Sequence, residues 1–130
     1  MARILYLDDE EALVFLVTRM LELLGHSVAA YTVQPDALAA FRSEPGRFDL
    51  VLTDLSMPGM NGFDLAQQIL AIQPGMAVAI VSGYVSPSDV EAGRAIGALD
   101  VIVKPHTIED MSQTISGLLR KAGAVKMADT

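Results

Sequence analysis

Short apolar runs alternate with amphipathic segments along the whole chain. The runs Arg3–Leu7, Leu50–Thr53, Ala77–Ser82 and Val101–Val103 are almost continuously apolar, which is typical of strands buried on both faces of a parallel sheet. Ser27–Tyr31 is predicted to be a fifth strand. Five strands separated by helical segments predict an α/β domain with a doubly wound, five-stranded parallel sheet and five helices.

The segments between the strands have the apolar spacing and end signals of helices. The predicted helices are Glu10–Leu24, Pro35–Ser43, Gly62–Ile72, Ser88–Ile96 and Ile108–Arg120. In the first helix the spacing predicts one buried stripe, formed by Leu13, Leu16, Val17, Met20 and Leu24. We expect one domain over residues 1–122, and residues 123–130 to be a C-terminal tail or the start of a linker.

Composition limits the possible environments and partners. The net charge of −7 should repel nucleic acid and anionic membranes, so direct nucleic-acid binding is not expected. Membrane insertion is not expected either, because Arg19 and Glu22 interrupt the longest apolar stretch. The absence of cysteine fits a cytoplasmic protein.

Charged residues follow three of the predicted strands. Asp8 and Asp9 come after the first strand, Asp54 after the third and Lys104 after the fifth. The carboxyl ends of parallel strands meet at one edge of a sheet, where ligands bind. Three carboxylates crowded there repel one another, so they need a divalent cation and the lysine to stay ionised. Such a site is suited to handling a phosphoryl group.

Four sequence blocks, in this order, resemble the receiver domain of two-component response regulators. They are Leu7–Glu10, Thr53–Gly62, Val81–Tyr84 and Val103–Pro105, and the resemblance covers residues 3–120. The string D-x-x-M-P-x-M-x-G, from Asp54 onward, is the most specific of them. The chain also resembles the receivers that occur within hybrid sensor histidine kinases.

The resemblance implies a phosphoacceptor and a metal site. Asp54 would accept the phosphoryl group. Asp9, Asp54 and the backbone carbonyl of Ser56 would ligate Mg²⁺, and Asp8 would hold it through water. This ligand set suits magnesium, which usually keeps several waters and uses one or two carboxylates.

The resemblance also implies roles around the phosphoryl group. Lys104 would pair with its oxygens, and the Ser82 hydroxyl would reach it. In the family the bond between the lysine and the following proline, here Pro105, is cis. The family usually has an aromatic residue three positions before the lysine, and its change of rotamer relays phosphorylation. Here that position is Val101, which is too short for such a movement.

The implied function is Mg²⁺-dependent transfer of a phosphoryl group from a partner's phosphohistidine to Asp54, followed by slow self-dephosphorylation. The partner would be a sensor histidine kinase or a histidine phosphotransfer protein, and no kinase core is expected in this chain. An alternative is a receiver excised from a hybrid histidine kinase that acts in a phosphorelay. Another is a Mg²⁺-dependent phosphatase with an aspartyl nucleophile, although that class needs an Asp where Ser56 stands. A flavodoxin-like cofactor site is disfavoured by the acidic residues that follow the first strand.

One face of the first helix is a candidate docking surface. Steps of 100° per residue place Phe15 nearly opposite the predicted buried stripe, and Val14 on its shoulder. An exposed aromatic residue ringed by polar residues is a common composition for an interface hot spot. We therefore expect Phe15 and Val14 to contact the histidine-bearing partner.

Overall fold

The computed structural model describes the backbone of residues 1–128 and the side chains of residues 1–123. Its strands are β1 (Arg3–Leu7), β2 (Ser27–Tyr31), β3 (Leu50–Asp54), β4 (Val78–Ser82) and β5 (Asp100–Val103). Its α-helices are α1 (Glu11–Leu23), α2 (Gln34–Ser43), α3 (Gly62–Ile72), α4 (Pro87–Ile96) and α5 (Ile108–Ala128), and a short 3-10 helix covers Pro45–Arg47. Each predicted strand and helix is present, and its ends agree to within one residue, except for the end of α5.

All five strands are parallel and form one sheet in the order β2-β1-β3-β4-β5. The predicted doubly wound fold is confirmed. β1 and β3 are neighbours although β2 lies between them in the sequence, so the winding of the chain reverses at β1. Leu7 pairs with Thr53, which makes β1 and β3 end side by side. A crevice at such a switch point is where open α/β sheets bind ligands.

Two apolar cores cover the two faces of the sheet. Leu5 and Leu7 of β1 face a core that includes side chains of α2 and α3. Ile4 and Tyr6 of the same strand face the other core, which includes side chains of α1 and α5. The alternation follows from the period of two in a strand. Burial on both faces explains why the strands read as unbroken apolar runs.

The buried face of α1 differs in part from the predicted stripe. Leu16 was expected inside, but its side chain is 54% exposed, so that prediction is wrong. Leu21, which the stripe omitted, is fully buried in the core between α1 and the sheet. These two positions lie about 140° apart around a helix. The buried face is therefore rotated toward Leu21, and Phe15 remains on the outside.

Helix α5 continues eight residues beyond Arg120, the end predicted from the sequence. Ala122 is buried, and the Lys121 ammonium lies 3.1 Å from a carboxylate oxygen of Asp100. These contacts hold the helix against the core beyond its predicted end. The domain boundary at residue 122 stays a prediction, and residues 129 and 130 lie outside the described part of the chain. Within that part, no helix has the length and apolar character needed to cross a membrane.

Candidate functional site

The strand ends bring the four predicted charged residues together. Asp8 and Asp9 follow β1, Asp54 is the last residue of β3, and Lys104 follows β5. Carboxylate oxygens of the three aspartates all lie within 4.8 Å of one another. We call Asp8, Asp9 and Asp54 the acidic cluster. The convergence expected from the strand ends is present.

The three carboxylates differ in their exposure to solvent. Asp8 is fully buried and Asp54 is 5% exposed, whereas Asp9 is exposed. Burial raises the pKa of Asp54; the charges of Asp8 and Asp9 raise it further, and Lys104 offsets part of the rise. Three carboxylates and one ammonium leave two negative charges in the site when all are ionised. A divalent cation would neutralise them.

Lys104 bridges the two buried carboxylates. Its Nζ lies 3.1 Å from Asp8 Oδ2 and 3.0 Å from Asp54 Oδ1. Burial by itself would lower the pKa of Lys104, but the hydrogen bonds to Asp54 and Asp8 and the charges of both outweigh it, so the pKa is raised. The lysine is therefore positively charged at neutral pH. It reaches both carboxylates although the Lys104–Pro105 bond is trans, like every peptide bond of the described residues, and not cis as the family resemblance implied.

The donor atoms of the acidic cluster fit a hard divalent cation. Magnesium prefers oxygen ligands in an octahedral arrangement, and it usually takes one or two carboxylates and several waters. Asp9 and Asp54 can supply two such oxygens from neighbouring strands, with Asp8 behind them. Ser56 is exposed in the loop that follows β3, two residues after Asp54. Its carbonyl remains a predicted ligand.

Tyr6 is also part of the site, although it is absent from the residues predicted from the sequence. Its hydroxyl donates a hydrogen bond to Asp8 Oδ2 over 3.1 Å, and the backbone N–H of Glu10 donates to Asp8 Oδ1 over 3.1 Å. Burial and the charge of Asp8 raise the pKa of Tyr6, so the hydroxyl stays protonated and can donate. The sequence does contain a signal for this contact. Tyr6 and Asp8 are two positions apart at the end of β1, and side chains two positions apart in an extended chain lie on the same face.

The loop after β3 approaches Asp54 closely at Gly62. A Cβ atom at this position would lie 2.5 Å from the backbone oxygen of Asp54, so only glycine fits without movement. The side chain of Gln34 donates hydrogen bonds to the carbonyls of Pro58 and Met60, over 2.9 and 2.8 Å. Both contacts fix the loop beside Asp54. The close approach to the Asp54 carbonyl explains the glycine that ends the most specific sequence block.

Ser82 and Val101 occupy the remaining positions that the resemblance singled out. Ser82 ends β4 and is mostly buried, and its carbonyl accepts a hydrogen bond from the backbone N–H of Lys104 over 2.8 Å. Val101 is buried in β5 directly under α4, since a Cβ atom at Gly93 would collide with its side chain. At the position where the family usually has an aromatic residue, Val101 therefore packs closely between β5 and α4.

The two predicted docking residues lie outside the acidic cluster. Phe15 is 69% exposed on α1, as the helical phase predicted. Val14 is partly buried and packs against the core between α1, α5 and the sheet. Their contact with a partner stays a prediction.

Similar proteins were found by sequence and by structure. The chain is 36% identical to the protein PilH of Pseudomonas aeruginosa over 121 residues, which cover 92% of this chain and 98% of PilH. It is 32% identical to the two-component response regulator ARR14 of Arabidopsis thaliana, and the match covers 95% of this chain but only 32% of ARR14. It covers 52% of the transcriptional regulatory protein RprY of Bacteroides fragilis. The chain thus spans a third to a half of some curated relatives.

Solved structures share the whole fold. A response regulator receiver domain protein from Clostridium thermocellum superposes with a TM-score of 0.85 at 29% identity, covering 96% of this chain and 99% of that one. The chemotaxis protein CheY4 of Vibrio cholerae gives a TM-score of 0.82 at 26% identity, covering 91% and 98%. The family profile of the response regulator receiver domain matches residues 4–116. The chain therefore belongs to the receiver domain family of two-component response regulators.

Proposed function

We propose that this receiver domain accepts a phosphoryl group on Asp54 in a Mg²⁺-dependent reaction, with a histidine kinase or a histidine phosphotransfer protein as donor, in the cytoplasm. One observation carries the proposal. Three carboxylates lie within 4.8 Å of one another, and Lys104 bridges the two that are buried. A structural ion pair would need one carboxylate for one lysine, whereas this cluster keeps two negative charges for a ligand to neutralise.

Asp54 has the chemistry of the acceptor. A carboxylate that is ionised needs no general base, only an electrophile in line and neutralisation of charge. An oxygen of Asp54 would form the new bond to phosphorus while the bond from phosphorus to the partner's imidazole nitrogen breaks. The bonding electron pair leaves with the imidazole.

The other residues would stabilise the charge that moves with the phosphoryl group. Lys104 already touches Asp54 and can pair with the phosphoryl oxygens as a point charge. The Ser82 hydroxyl would donate to another of these oxygens from the end of β4. Asp9, Asp54 and the Ser56 carbonyl would hold Mg²⁺, with Asp8 acting through water. Bound magnesium would neutralise the phosphoryl oxygens.

Slow self-dephosphorylation would use open space beside the acceptor. Gly83 directly follows Ser82, and a Cβ atom there would meet nothing within 4 Å. A water molecule could approach phosphorus from this side and displace Asp54. The phosphatase alternative is less well supported, since Ser56 cannot serve as the second carboxylate that protonates and deprotonates the reacting oxygens in that class.

Asp54→Asn tests the proposal directly. We expect wild-type protein to gain one phosphoryl group from acetyl phosphate when Mg²⁺ is present, and none in EDTA, by intact-mass measurement. Asp54→Asn should gain none under either condition. Asp36→Asn is the matched control, because Asp36 is an exposed aspartate in the first turn of α2 and should leave uptake unchanged. Phosphate uptake by Asp54→Asn equal to that of wild type would remove Asp54 from the mechanism.

We further propose that Phe15, with Val14 beside it, anchors the histidine-bearing partner. Phe15 is a large exposed aromatic residue in the second turn of α1, the helix that begins next to the acidic cluster. Truncating a central aromatic anchor costs an interface about 2 kcal/mol or more. Phe15→Ala should therefore slow transfer from the cognate phosphohistidine protein by about tenfold or more.

The same variant should react normally with acetyl phosphate, because the small donor needs no docking surface. Leu23→Ala is the matched control, since Leu23 is also exposed on α1 but lies two turns farther from the acidic cluster. We expect Leu23→Ala to leave both reactions unchanged. Wild-type transfer from the cognate donor to Phe15→Ala would show that the partner docks elsewhere.

A further inference from the structure

We propose that the Tyr6 hydroxyl is a positioning group that keeps the Asp8 carboxylate in place when Lys104 leaves it for a phosphoryl group on Asp54. This role of Tyr6 adds to the proposed function and rests on it, because it concerns the state in which Asp54 carries a phosphoryl group. The contacts that support it are already present without any ligand, so part of the test does not depend on phosphorylation.

Asp8 Oδ2 is shared between two donors of different mobility. The Tyr6 hydroxyl and the Lys104 ammonium each lie 3.1 Å from it. The Tyr6 side chain is held by packing: the residue is 2% exposed and belongs to the core between the sheet, α1 and α5. The Lys104 side chain is 22% exposed and ends a flexible stem. Tyr6 can therefore stay where Lys104 can move.

Lys104 would shift from its present position when Asp54 carries a phosphoryl group. Its ammonium now bridges Asp8 Oδ2 and Asp54 Oδ1. A phosphoryl group adds anionic oxygens beyond Asp54, and a lysine pairs with such oxygens as a compact point charge. Movement toward them lengthens the contact with Asp8. A fully buried carboxylate that loses a charged donor becomes costly unless another donor remains.

The Tyr6 hydroxyl is that remaining donor on Oδ2. The backbone N–H of Glu10 donates to the other oxygen, Oδ1, so it cannot replace Lys104. With Tyr6 in place, Asp8 keeps one hydrogen bond on each oxygen and its orientation toward the metal site. Without the hydroxyl, Lys104 would be the single side-chain donor to Oδ2 among the described residues, and its movement to the phosphoryl group would be opposed.

The first experiment measures unfolding without metal or phosphate. Tyr6→Phe removes only the hydroxyl, and Lys104→Met removes the ammonium while keeping most of the side-chain length. In the wild-type background, Tyr6→Phe should raise the unfolding equilibrium constant about threefold or less, because Lys104 still serves Oδ2. In the Lys104→Met background, the same change should raise it about tenfold or more. Equal effects in the two backgrounds would overturn the proposal.

The second experiment uses the Mg²⁺–beryllofluoride mimic of the phosphoryl group. Tyr6→Phe should weaken beryllofluoride binding about tenfold at saturating Mg²⁺, while the affinity for Mg²⁺ alone changes about twofold or less. Tyr31→Phe is the matched control, since it removes a hydroxyl from a partly buried tyrosine at the end of β2, and it should change neither affinity. Unchanged beryllofluoride binding by Tyr6→Phe would also overturn the proposal.

A spectroscopic measurement separates positioning from general packing. The measurement is the NMR chemical shift of the tyrosine ring carbon that carries the hydroxyl, after labelling at this carbon. For Tyr6 it should keep the value typical of a hydrogen-bonded hydroxyl when beryllofluoride binds. Loss of that shift on binding would contradict a retained bond to Asp8. If the wild-type protein binds no beryllofluoride at all, the proposed phosphoacceptor function fails, whereas the unfolding measurements still decide whether Tyr6 supports Asp8 in the absence of Lys104.

Discussion

Replacing Asp9 by Asn should stabilise the metal-free protein. Asp9 is the exposed member of the acidic cluster, and no described residue donates a hydrogen bond to it or forms an ion pair with it. Its contribution to the metal-free fold is therefore mainly repulsion from Asp8 and Asp54. Asn has nearly the same shape and removes the charge, so the substitution tests electrostatics with little change in packing.

The geometry sets the size of the effect. At 4.8 Å, the upper limit of the oxygen–oxygen separations in the acidic cluster, two unit charges repel by about 0.9 kcal/mol in water and by about 3.5 kcal/mol at an effective dielectric constant of about 20. Because Asp9 is exposed, each repulsion is close to the energy calculated for water. Its repulsions from Asp8 and from Asp54 are partly offset by its attraction to Lys104. We expect the free energy of unfolding to rise by about 1 kcal/mol. The melting temperature should rise by about 4 °C in a domain of this size.

Asp8→Asn is the matched variant and should act in the opposite direction. Asp8 is fully buried and accepts hydrogen bonds from Tyr6, Lys104 and the backbone of Glu10. Removing its charge weakens a buried ion pair, and the amide cannot accept at both of its ends. We expect Asp8→Asn to destabilise the metal-free protein by about 2 kcal/mol. Removing one negative charge is thus expected to raise the free energy of unfolding at position 9 and to lower it at position 8.

The assay is urea denaturation, carried out once in EDTA and once in Mg²⁺. The midpoints can be compared if the dependence of the unfolding free energy on urea concentration is the same for each variant. Mg²⁺ at a hundredfold excess over its Kd should stabilise the wild-type protein by about 2.7 kcal/mol. Asp9→Asn should lose most of this gain, because it has lost a metal ligand. If Asp9→Asn unfolds at lower urea than wild type in EDTA, repulsion in the acidic cluster does not limit the stability of the metal-free domain.

Three further predictions follow from the packing and from one titration. Gly62→Ala should destabilise the fold by about 1–3 kcal/mol in urea denaturation, because the new Cβ would press on the Asp54 carbonyl. Val101→Phe introduces the aromatic residue that the family usually has at this position. It should lower the free energy of unfolding by a similar amount, because Gly93 of α4 packs directly on this side chain. An unchanged urea midpoint would show that α4 can shift to admit the larger side chain. Burial, and then the charge of the N-terminus, lower the pKa of His26, so its neutral form favours folding. The free energy of unfolding should therefore decline as the pH falls from about 6.5 to the lowered pKa, and His26→Gln should flatten this dependence in urea midpoints.

The positions of the charged residues were predictable because they depend on strand ends. The apolar runs before Asp8, Asp54 and Lys104 mark buried strands, and parallel strands bring their carboxyl ends to one edge. The exposure of Phe15 was also predictable, since it depends only on the period of a helix. In each case the relevant property repeats along the chain and needs no knowledge of a neighbouring element.

The contacts of the site needed the tertiary structure. That Lys104 bridges Asp8 and Asp54 in particular did not follow from the sequence, because the three residues lie at the ends of separate strands and the pairing depends on the distances between those ends. Tyr6 could be placed on the same strand face as Asp8, but whether its hydroxyl reaches the carboxylate depends on how the ring packs against α1 and α5.

The same division applies to the helices. Leu16 and Leu21 are equally apolar, and only the packing of α1 on the sheet decided that the first is exposed and the second buried. Beyond Arg120, α5 is supported by the ion pair between Lys121 and Asp100 and by the burial of Ala122 in the core, and neither contact leaves a periodic signal in the sequence. The sequence by itself determined the order of strands and helices, the edge that holds the acidic cluster and the residue types available there, since these follow from local periodicity and from the geometry of parallel strands. The tertiary structure decided which side chain contacts which, because a hydrogen bond or a packed face depends on ångström-scale distances between segments far apart in the chain.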